Sequence, residues 1–125
     1  MDTSFRISID EPYSVLKKES ERLLGTKAIG FEGCDDEDKL SSAYFDRYFG
    51  EAYQLSIERD VPLYCGEYGV INLADAEDTL KWYRMIHETF ERYGIGRAAW
   101  SYRKMDFGFV DEHMKDVLKE IVEQM

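Results

Sequence analysis

The sequence predicts an α/β fold in which parallel strands are flanked by helices. Segments with the apolar spacing of helices alternate along the chain with short apolar segments that suit strands. Two of the strand-like segments, residues 61–65 and 95–102, lack the regular polar–apolar alternation of a half-exposed strand. Strands that are apolar throughout are buried on both faces, which is typical of parallel sheets. With 125 residues, the whole chain, 1–125, is expected to form one domain.

The first 40 residues are expected to form extra N-terminal elements. These are a half-exposed strand over 5–9, a helix over 11–24, a short strand over 27–31 and an acidic loop over 33–38. Pro12 suits the first turn of the helix, and Gly25 suits its C-terminal cap. The loop has the oxygen ligands that Ca²⁺ or Mg²⁺ prefers, but it lacks the alternation and the downstream Glu of a calcium-binding loop. A solvated acidic loop is the favoured interpretation.

Residues 41–125 are expected to form three helices that alternate with two strands. Ser41 or Ser42 is expected to cap a helix that ends near Arg59, Asp75 one that ends near Gly94, and Asp111 the last helix. The predicted apolar faces of the three helices comprise Tyr44, Phe45, Tyr48, Phe49, Ala52 and Leu55; Leu80, Tyr83, Ile86, Phe90 and Tyr93; and Met114, Val117, Leu118, Ile121, Val122 and Met125.

Charge and cysteine content exclude several classes of partner. The formal net charge is −10, which repels phosphate backbones and anionic lipid, so we expect no nucleic-acid or membrane partner. A neutral substrate such as a sugar chain is unaffected. The two cysteines, Cys34 and Cys65, form no CxxC pair, so we expect neither a zinc site nor a disulfide scaffold.

No targeting or membrane segment is predicted. No apolar run approaches the roughly 20 residues that span a bilayer. The first residues lack the basic patch and apolar stretch of a signal peptide. The expected location is therefore cytoplasmic, or extracellular if the chain is a piece of a secreted protein.

An acidic residue, Glu67, directly follows the apolar strand at 61–65 and lies between Gly66 and Gly69. Burial of an unpaired carboxylate is costly, and the glycines let backbone or ligand come close. In α/β sheets and barrels, polar residues at the carboxyl ends of strands face the ligand crevice. From these residues alone, Glu67 is either a ligand-facing carboxylate or a buried one that pairs with an arginine or caps a loop.

Five short motifs follow one another in the second half of the chain. In order, they are Gly66-Glu67-Tyr68-Gly69, Trp82-Tyr83, Tyr93-Gly94-Ile95-Gly96, Ala99-Trp100-Ser101-Tyr102 and Asp106-Phe107-Gly108. Together they resemble the C-terminal end of glycoside hydrolase family five, the cellulase family, over about residues 44–111. In that family the Gly-Glu-Tyr-Gly motif ends the seventh strand of the barrel, and a Trp ends the eighth.

The resemblance implies a partial (β/α) TIM-barrel segment of about half a barrel or less, because a closed barrel needs about 250 residues. It implies that Glu67 is the catalytic nucleophile of a retaining hydrolase that acts on a β-linked poly- or oligosaccharide. It also implies that Trp100 and Tyr68 bind the substrate, with Trp100 lining a sugar subsite. No cofactor and no metal are implied. Trp82 is expected to pack on a helix face.

The chain differs from the family in one respect: the motif that carries the second catalytic carboxylate is missing. A retaining hydrolase needs a nucleophile and an acid/base, and the family takes its acid/base from an Asn-Glu pair. The single asparagine here, Asn72, is followed by Leu73, so that pair is absent. Glu32, which follows the predicted strand at 27–31, is a weak candidate to replace the missing acid/base. His87 and His113 fall in predicted helices, where we expect them to be helix-face residues.

Two functions therefore stay open. The chain is the nucleophile-bearing portion of a glycoside hydrolase, inactive in isolation, or it is a small non-catalytic α/β module that binds carbohydrate or protein. A partial barrel leaves strand edges uncovered, and uncovered edges invite pairing with another chain. We therefore expect a homo-oligomer, formed by exchange of elements between copies.

Overall fold

The computed structural model describes residues 8–25 and 34–125. In chain order, its elements are the helices α1 (Tyr13–Leu24) and α2 (Ser42–Arg59), the strand β1 (Tyr64–Cys65), the helix α3 (Ala76–Tyr93), the strand β2 (Gly96–Arg97), a 3-10 turn (Glu112–Met114) and the helix α4 (Leu118–Glu123). The predicted strand at 27–31, most of the one at 5–9 and Glu32 lie outside the described residues. Ile9, which is described, lies in a turn.

The predicted caps and ends of the first three helices are confirmed. The Ser41 side chain accepts a hydrogen bond from the Ala43 amide at the start of α2, and the Asp75 side chain accepts one from the Glu77 amide at the start of α3. These side chains satisfy amides that have no partner within the helix. Gly25 and Gly94 end α1 and α3 with φ angles of 68° and 64°, a left-handed conformation that glycine adopts without steric cost.

The two strands form a parallel pair in which Tyr64 is opposite Gly96 and Cys65 is opposite Arg97. Both strands are shorter than the predicted segments at 61–65 and 95–102. Pro62 has no amide hydrogen to donate, and the register of the pair changes beyond Cys65, so regular pairing is confined to a short stretch. The described residues thus form a small α/β unit with a two-stranded parallel sheet, consistent with part of a barrel.

The hydrophobic core lies on one face of this sheet. It consists of Phe45 from α2; Tyr83, Ile86 and Phe90 from α3; Tyr68 and Ile95 from the strand segments; and Met114, Val117 and Ile121 from the C-terminal segment. Of the apolar stripe predicted for α3, Tyr83, Ile86 and Phe90 are therefore buried, and Leu80 and Tyr93 pack partly buried against the core. The stripe predicted for α2 is buried only in part, because Tyr48 and Leu55 are exposed.

The C-terminal helix differs from its prediction. One continuous helix capped by Asp111 was expected, but the segment divides into the 3-10 turn and the six-residue α4. Asp111 makes no side-chain cap, because its carboxylate accepts the Lys104 amide at 2.8 Å. Of the predicted stripe, Val122 and Met125 are exposed. No helix in the described part of the chain is long and apolar enough to cross a membrane.

Candidate active site at the carboxyl end of the sheet

Glu67 lies where the regular pairing of the two strand segments shifts by one residue. The Gly96 amide donates to the Leu63 carbonyl at 3.0 Å, and the Ala98 amide donates to the Cys65 carbonyl at 2.9 Å. The next amide in this series, that of Trp100, donates to Tyr68 instead of Glu67, at 2.8 Å. The first segment therefore contains one extra residue, as in a β-bulge, a feature that re-aims side chains near active sites.

This extra residue decides which way Glu67 faces. Leu63 and Cys65 pack against the core, so strict alternation would also send Glu67 into the core. The shift gives the buried position to Tyr68 instead, and Glu67 is exposed. Its carbonyl oxygen, left out of the ladder, lies 3.5 Å from the Cys65 sulfur. Of the two interpretations that the sequence left open, the buried carboxylate is excluded, because Glu67 is exposed.

Gly69 allows the two segments to come close together beyond Glu67. A Cβ placed on Gly69 would overlap the Trp100 carbonyl oxygen, whereas one placed on Gly66 would meet only the Tyr64 ring, at 3.7 Å. The two glycines of the motif therefore do different things. Gly69 is required by backbone packing, and Gly66 keeps the surface beside Glu67 open.

Trp100 lies on the segment adjacent to Glu67, since its amide bonds the residue that follows Glu67. Its side chain is 41% exposed, so it is not a core residue. The peptide bond between Trp100 and Ser101 is cis. Tyr64 lies on the exposed face of β1 and is itself 68% exposed. The prediction that Trp100 binds sugar is not tested by these contacts, but its position allows it.

The loop after Trp100 contains three consecutive residues in the left-handed region. Lys104, Met105 and Asp106 have φ angles of 63°, 59° and 63°, each of which costs roughly 1–2 kcal/mol for a residue with a Cβ. Hydrogen bonds hold the turn in place. The Asp106 carbonyl accepts the Asn72 amide at 2.7 Å, and the Asp111 carboxylate accepts the Lys104 amide. A strained backbone that its surroundings hold in place is common beside active sites.

Tyr68 is buried, and its hydroxyl lies 2.9 Å from Nε2 of His87. Burial raises the pKa of Tyr68, and the nearby positive charge of Arg97 opposes this rise. The predicted contact between Tyr68 and substrate stays a prediction, and the position of its ring in the core does not support it. These contacts indicate that Tyr68 anchors the end of the bulged segment to α3.

His87 is a residue whose importance the sequence analysis missed. It lies on α3, as predicted, but it is only 2% exposed and contacts Tyr68, Tyr83 and Phe90. Burial, followed by the nearby positive charge of Arg97, lowers the pKa of His87 to about 4. Its spacing, four residues after Tyr83 and three before Phe90, places it on the buried stripe and was the available signal.

The described residues offer no metal site. No group of three or more His, Cys, Asp or Glu side chains that could hold an ion occurs within residues 8–25 and 34–125. Cys34 and Cys65 are free thiols. Cys34 lies 2.5 Å from the Arg47 guanidinium, and burial raises the pKa of Cys65.

Trp82 packs on the core, with its ring edge-on to Phe45, as predicted for a helix-face residue.

Sequence relatives of this chain are named as endoglucanases and a cellodextrinase. Endoglucanase C of Acetivibrio thermocellus is 38% identical over 84 residues, which are 67% of this chain and 24% of that protein. Cellodextrinase A of Ruminococcus flavefaciens is 39% identical over 74 residues, which are 59% of this chain and 22% of that protein. The chain thus matches about a quarter of the length of these relatives. No protein-family model matches it.

Solved structures give the same result. Endoglucanase Cel5A from Thermotoga maritima superposes with a TM-score of 0.58 and 27% identity, over 84% of this chain and 31% of that one. A hyperthermophilic endo-β-1,4-glucanase in complex with substrate has a TM-score of 0.56 and 26% identity, over 72% of this chain and 28% of that one. The resemblance predicted from the five motifs is therefore confirmed: the sequence relatives and the solved neighbours are endoglucanases, and the chain is similar to a C-terminal part of a cellulase-like glycoside hydrolase of family five.

Proposed function

We propose that this chain carries the nucleophile side of a retaining, endoglucanase-like active site. The observation that carries the proposal is the register shift, which leaves the Glu67 carboxylate exposed at the carboxyl end of β1 and beside the Trp100 segment. In this role the Glu67 carboxylate attacks the anomeric carbon of a β-linked glucan and forms a covalent glycosyl-enzyme ester, which water then hydrolyses.

Substrate is held by the exposed face of the sheet. The Trp100 ring stacks on a sugar ring, because the apolar face of a pyranose complements an aromatic surface. Its partial exposure leaves that surface available. The relatives whose names specify a β-1,4-glucan or cellodextrin support this substrate class for the present chain.

This chain has no Asn-Glu pair, so the second carboxylate of the reaction comes from outside it. A retaining mechanism places the acid/base about 5–5.5 Å from the nucleophile. Without it, departure of an ordinary sugar leaving group is slowed by about 10²–10⁴. We therefore expect the isolated chain to be inactive on natural glucans, although Glu67 keeps its nucleophilic role.

An activated glycoside separates these two roles. A 2,4-dinitrophenyl 2-deoxy-2-fluoro-β-cellobioside has a leaving group that departs without protonation, so it tests the nucleophile alone. Intact-mass and peptide mass spectrometry should find one fluoroglycosyl adduct, on the peptide that contains Glu67. Glu67→Gln should abolish it, and Glu88→Gln, an exposed change on α3, should not. Adducts on other carboxylates, or none at saturating reagent, would contradict the proposal.

Self-association is part of the same proposal. The sheet of the described residues has only two strands, so each of them has one edge that no other described strand covers. Such edges pair readily with another chain, and exchange of elements between copies would complete the sheet. Light scattering at increasing concentration should give a mass above that of the monomer. A stable, well-folded monomer over a wide concentration range would refute self-association without affecting the role of Glu67.

The alternative function is a non-catalytic α/β module that binds carbohydrate or protein. It is favoured by the missing Asn-Glu pair and by the exposed aromatic side chains near Glu67, Tyr64 and Trp100. The two functions differ in their dependence on Glu67. A binding module loses affinity for cello-oligosaccharide when Trp100 is changed and shows no covalent labelling, whereas a nucleophile-bearing unit is labelled at Glu67.

A further inference from the structure

The register shift that exposes Glu67 depends on where Tyr68 is held. Strand pairing that continued without the extra residue would turn Glu67 towards the core and Tyr68 away from it, because a slip by one residue exchanges the two faces. In the structure the Trp100 amide donates to the Tyr68 carbonyl, and Tyr68 is only 7% exposed. Whatever fixes the Tyr68 side chain therefore also fixes the direction in which the Glu67 carboxylate points.

The Tyr68 side chain has apolar packing and one directional contact. Its ring centroid lies 5.0 Å from that of Phe90 and 6.1 Å from that of Tyr83, in edge-on arrangements. Burial of apolar surface is non-directional, so it favours a ring in the core without fixing its depth there. The phenol hydroxyl supplies the directional contact, because it lies 2.9 Å from Nε2 of His87 in a buried hydrogen bond.

His87 is a fixed partner for that hydroxyl. It lies within α3, and the rings of Tyr83 and Phe90 lie 5.6 Å and 6.3 Å from its imidazole. Within residues 8–25 and 34–125, Nδ1 of His87 has no hydrogen-bond partner, so the imidazole bonds there through Nε2 alone. A phenol and a neutral imidazole can each donate or accept, so the pair forms with either tautomer of the ring.

We propose that Tyr68 and His87 are positioning residues for Glu67: their hydrogen bond holds the bulged register and thereby aims the Glu67 carboxylate at the exposed face of the sheet. This inference rests on the proposed role of Glu67 as the nucleophile. Neither positioning residue touches substrate, because both act through the peptide that joins Glu67 to Tyr68. A displacement of about 1 Å between reacting atoms can slow a reaction by about 10², so a directional bond one residue from the nucleophile affects its rate.

Labelling of the full chain by 2,4-dinitrophenyl 2-deoxy-2-fluoro-β-cellobioside tests the proposal, when the rate constant at saturation and the half-saturation concentration are determined separately. Tyr68→Phe removes only the hydroxyl, and His87→Leu removes its partner. Each should lower the rate constant about tenfold and leave the half-saturation concentration within about twofold. His87→Gln, whose amide can bond the phenol, should recover most of the rate. Tyr93→Phe, which removes a phenol hydrogen bond to Asp46 elsewhere on α3, should change neither value.

Amide hydrogen exchange tests the same hold on the register without any chemistry at Glu67. The Trp100 amide donates to the Tyr68 carbonyl, so it should exchange about tenfold faster in Tyr68→Phe than in the unaltered chain. The Ala98 amide donates to Cys65, before the bulge, and its exchange should stay the same. Unchanged exchange at Trp100, or equal acceleration at Trp100 and Ala98, overturns the proposal.

The outcomes distinguish failure of this inference from failure of the nucleophile role. No adduct on the unaltered chain refutes the role of Glu67, and positioning with it. An adduct that forms at the same rate in Tyr68→Phe, in His87→Leu and in the unaltered chain refutes positioning alone. A loss of stability in these variants with an unchanged labelling rate does the same, because that is what a structural role predicts. The two substitutions remove opposite sides of one bond, so if one variant does not fold, the other decides the question.

Discussion

The two faces of the same short sheet differ in what their side chains do. On the helix face, Tyr68 and Ile95 are buried among the aromatic and aliphatic side chains of α3, with a neutral histidine as the hydrogen-bond partner of the phenol. On the opposite face, Tyr64, Glu67 and Trp100 are exposed. The contrast indicates that the core lies on one face, and the site proposed to bind and react lies on the other.

The largest expected effect comes from Phe90, which is fully buried on the helix face. Phe90→Ala should lower the free energy of unfolding by about 3–5 kcal/mol, because it removes buried surface and leaves a cavity. Tyr64→Ala, an aromatic truncation on the exposed face, should cost less than about 1 kcal/mol. Urea denaturation measures both. Equal losses would show that the exposed face is also part of the core.

The next effect is the dependence of stability on pH through His87. Its pKa is about 4 when folded and about 6.5 when unfolded, so the unfolded chain binds the proton first as pH falls. Stability from this group is complete above about pH 6.5 and is lost between pH 6.5 and 4, by about 3 kcal/mol in total.

Denaturation at pH 7 and pH 4.5 in wild type and in His87→Gln tests this effect. The variant should lose less stability between the two pH values, since the remaining loss comes from other groups. Arg84→Lys, an exposed change on the same helix that keeps the charge, should retain the wild-type difference. Identical pH dependence in wild type and His87→Gln would show that folding does not change the pKa of His87.

A smaller loss of stability is expected when Gly69 is changed. This substitution tests the close contact between the segments that contain Glu67 and Trp100. Gly69→Ala should destabilise the protein by about 1–3 kcal/mol, because the new Cβ overlaps the Trp100 carbonyl and the backbone must move. Gly66→Ala, whose Cβ meets only the Tyr64 ring, should cost less than half as much. Thermal unfolding compares the two, and a reversed order would place the close contact elsewhere in the motif.

The smallest effect on stability is expected at Trp100. Trp100→Ala should weaken binding of cellotetraose about tenfold, the loss of about 1.4 kcal/mol expected for one stacked ring, with little change in the free energy of unfolding. Titration calorimetry measures the binding. Trp82→Phe, a conservative change in a ring that packs on the core, should leave affinity unchanged. Loss of stability without loss of affinity would make Trp100 a structural residue.

Much of the local structure was predictable because it depends on neighbours in the sequence. The side chains of Ser41 and Asp75 satisfy amides two residues later, and Gly25 and Gly94 adopt a left-handed conformation that other residues avoid. The resemblance to endoglucanases was likewise readable from five motifs in order. Asp111 misled the prediction because a distant amide, that of Lys104, competes for the same carboxylate.

The sequence by itself therefore determined the first three helices, the parallel order of the strands, the family resemblance and the presence of Glu67 after a strand. Only the tertiary structure decided that Glu67 is exposed, because its orientation depends on a register shift between segments more than 30 residues apart. It likewise decided that Tyr68 and His87 share a buried hydrogen bond. Spacing along the chain specifies which face of its own element a residue occupies, but contacts between elements settle what lies opposite it.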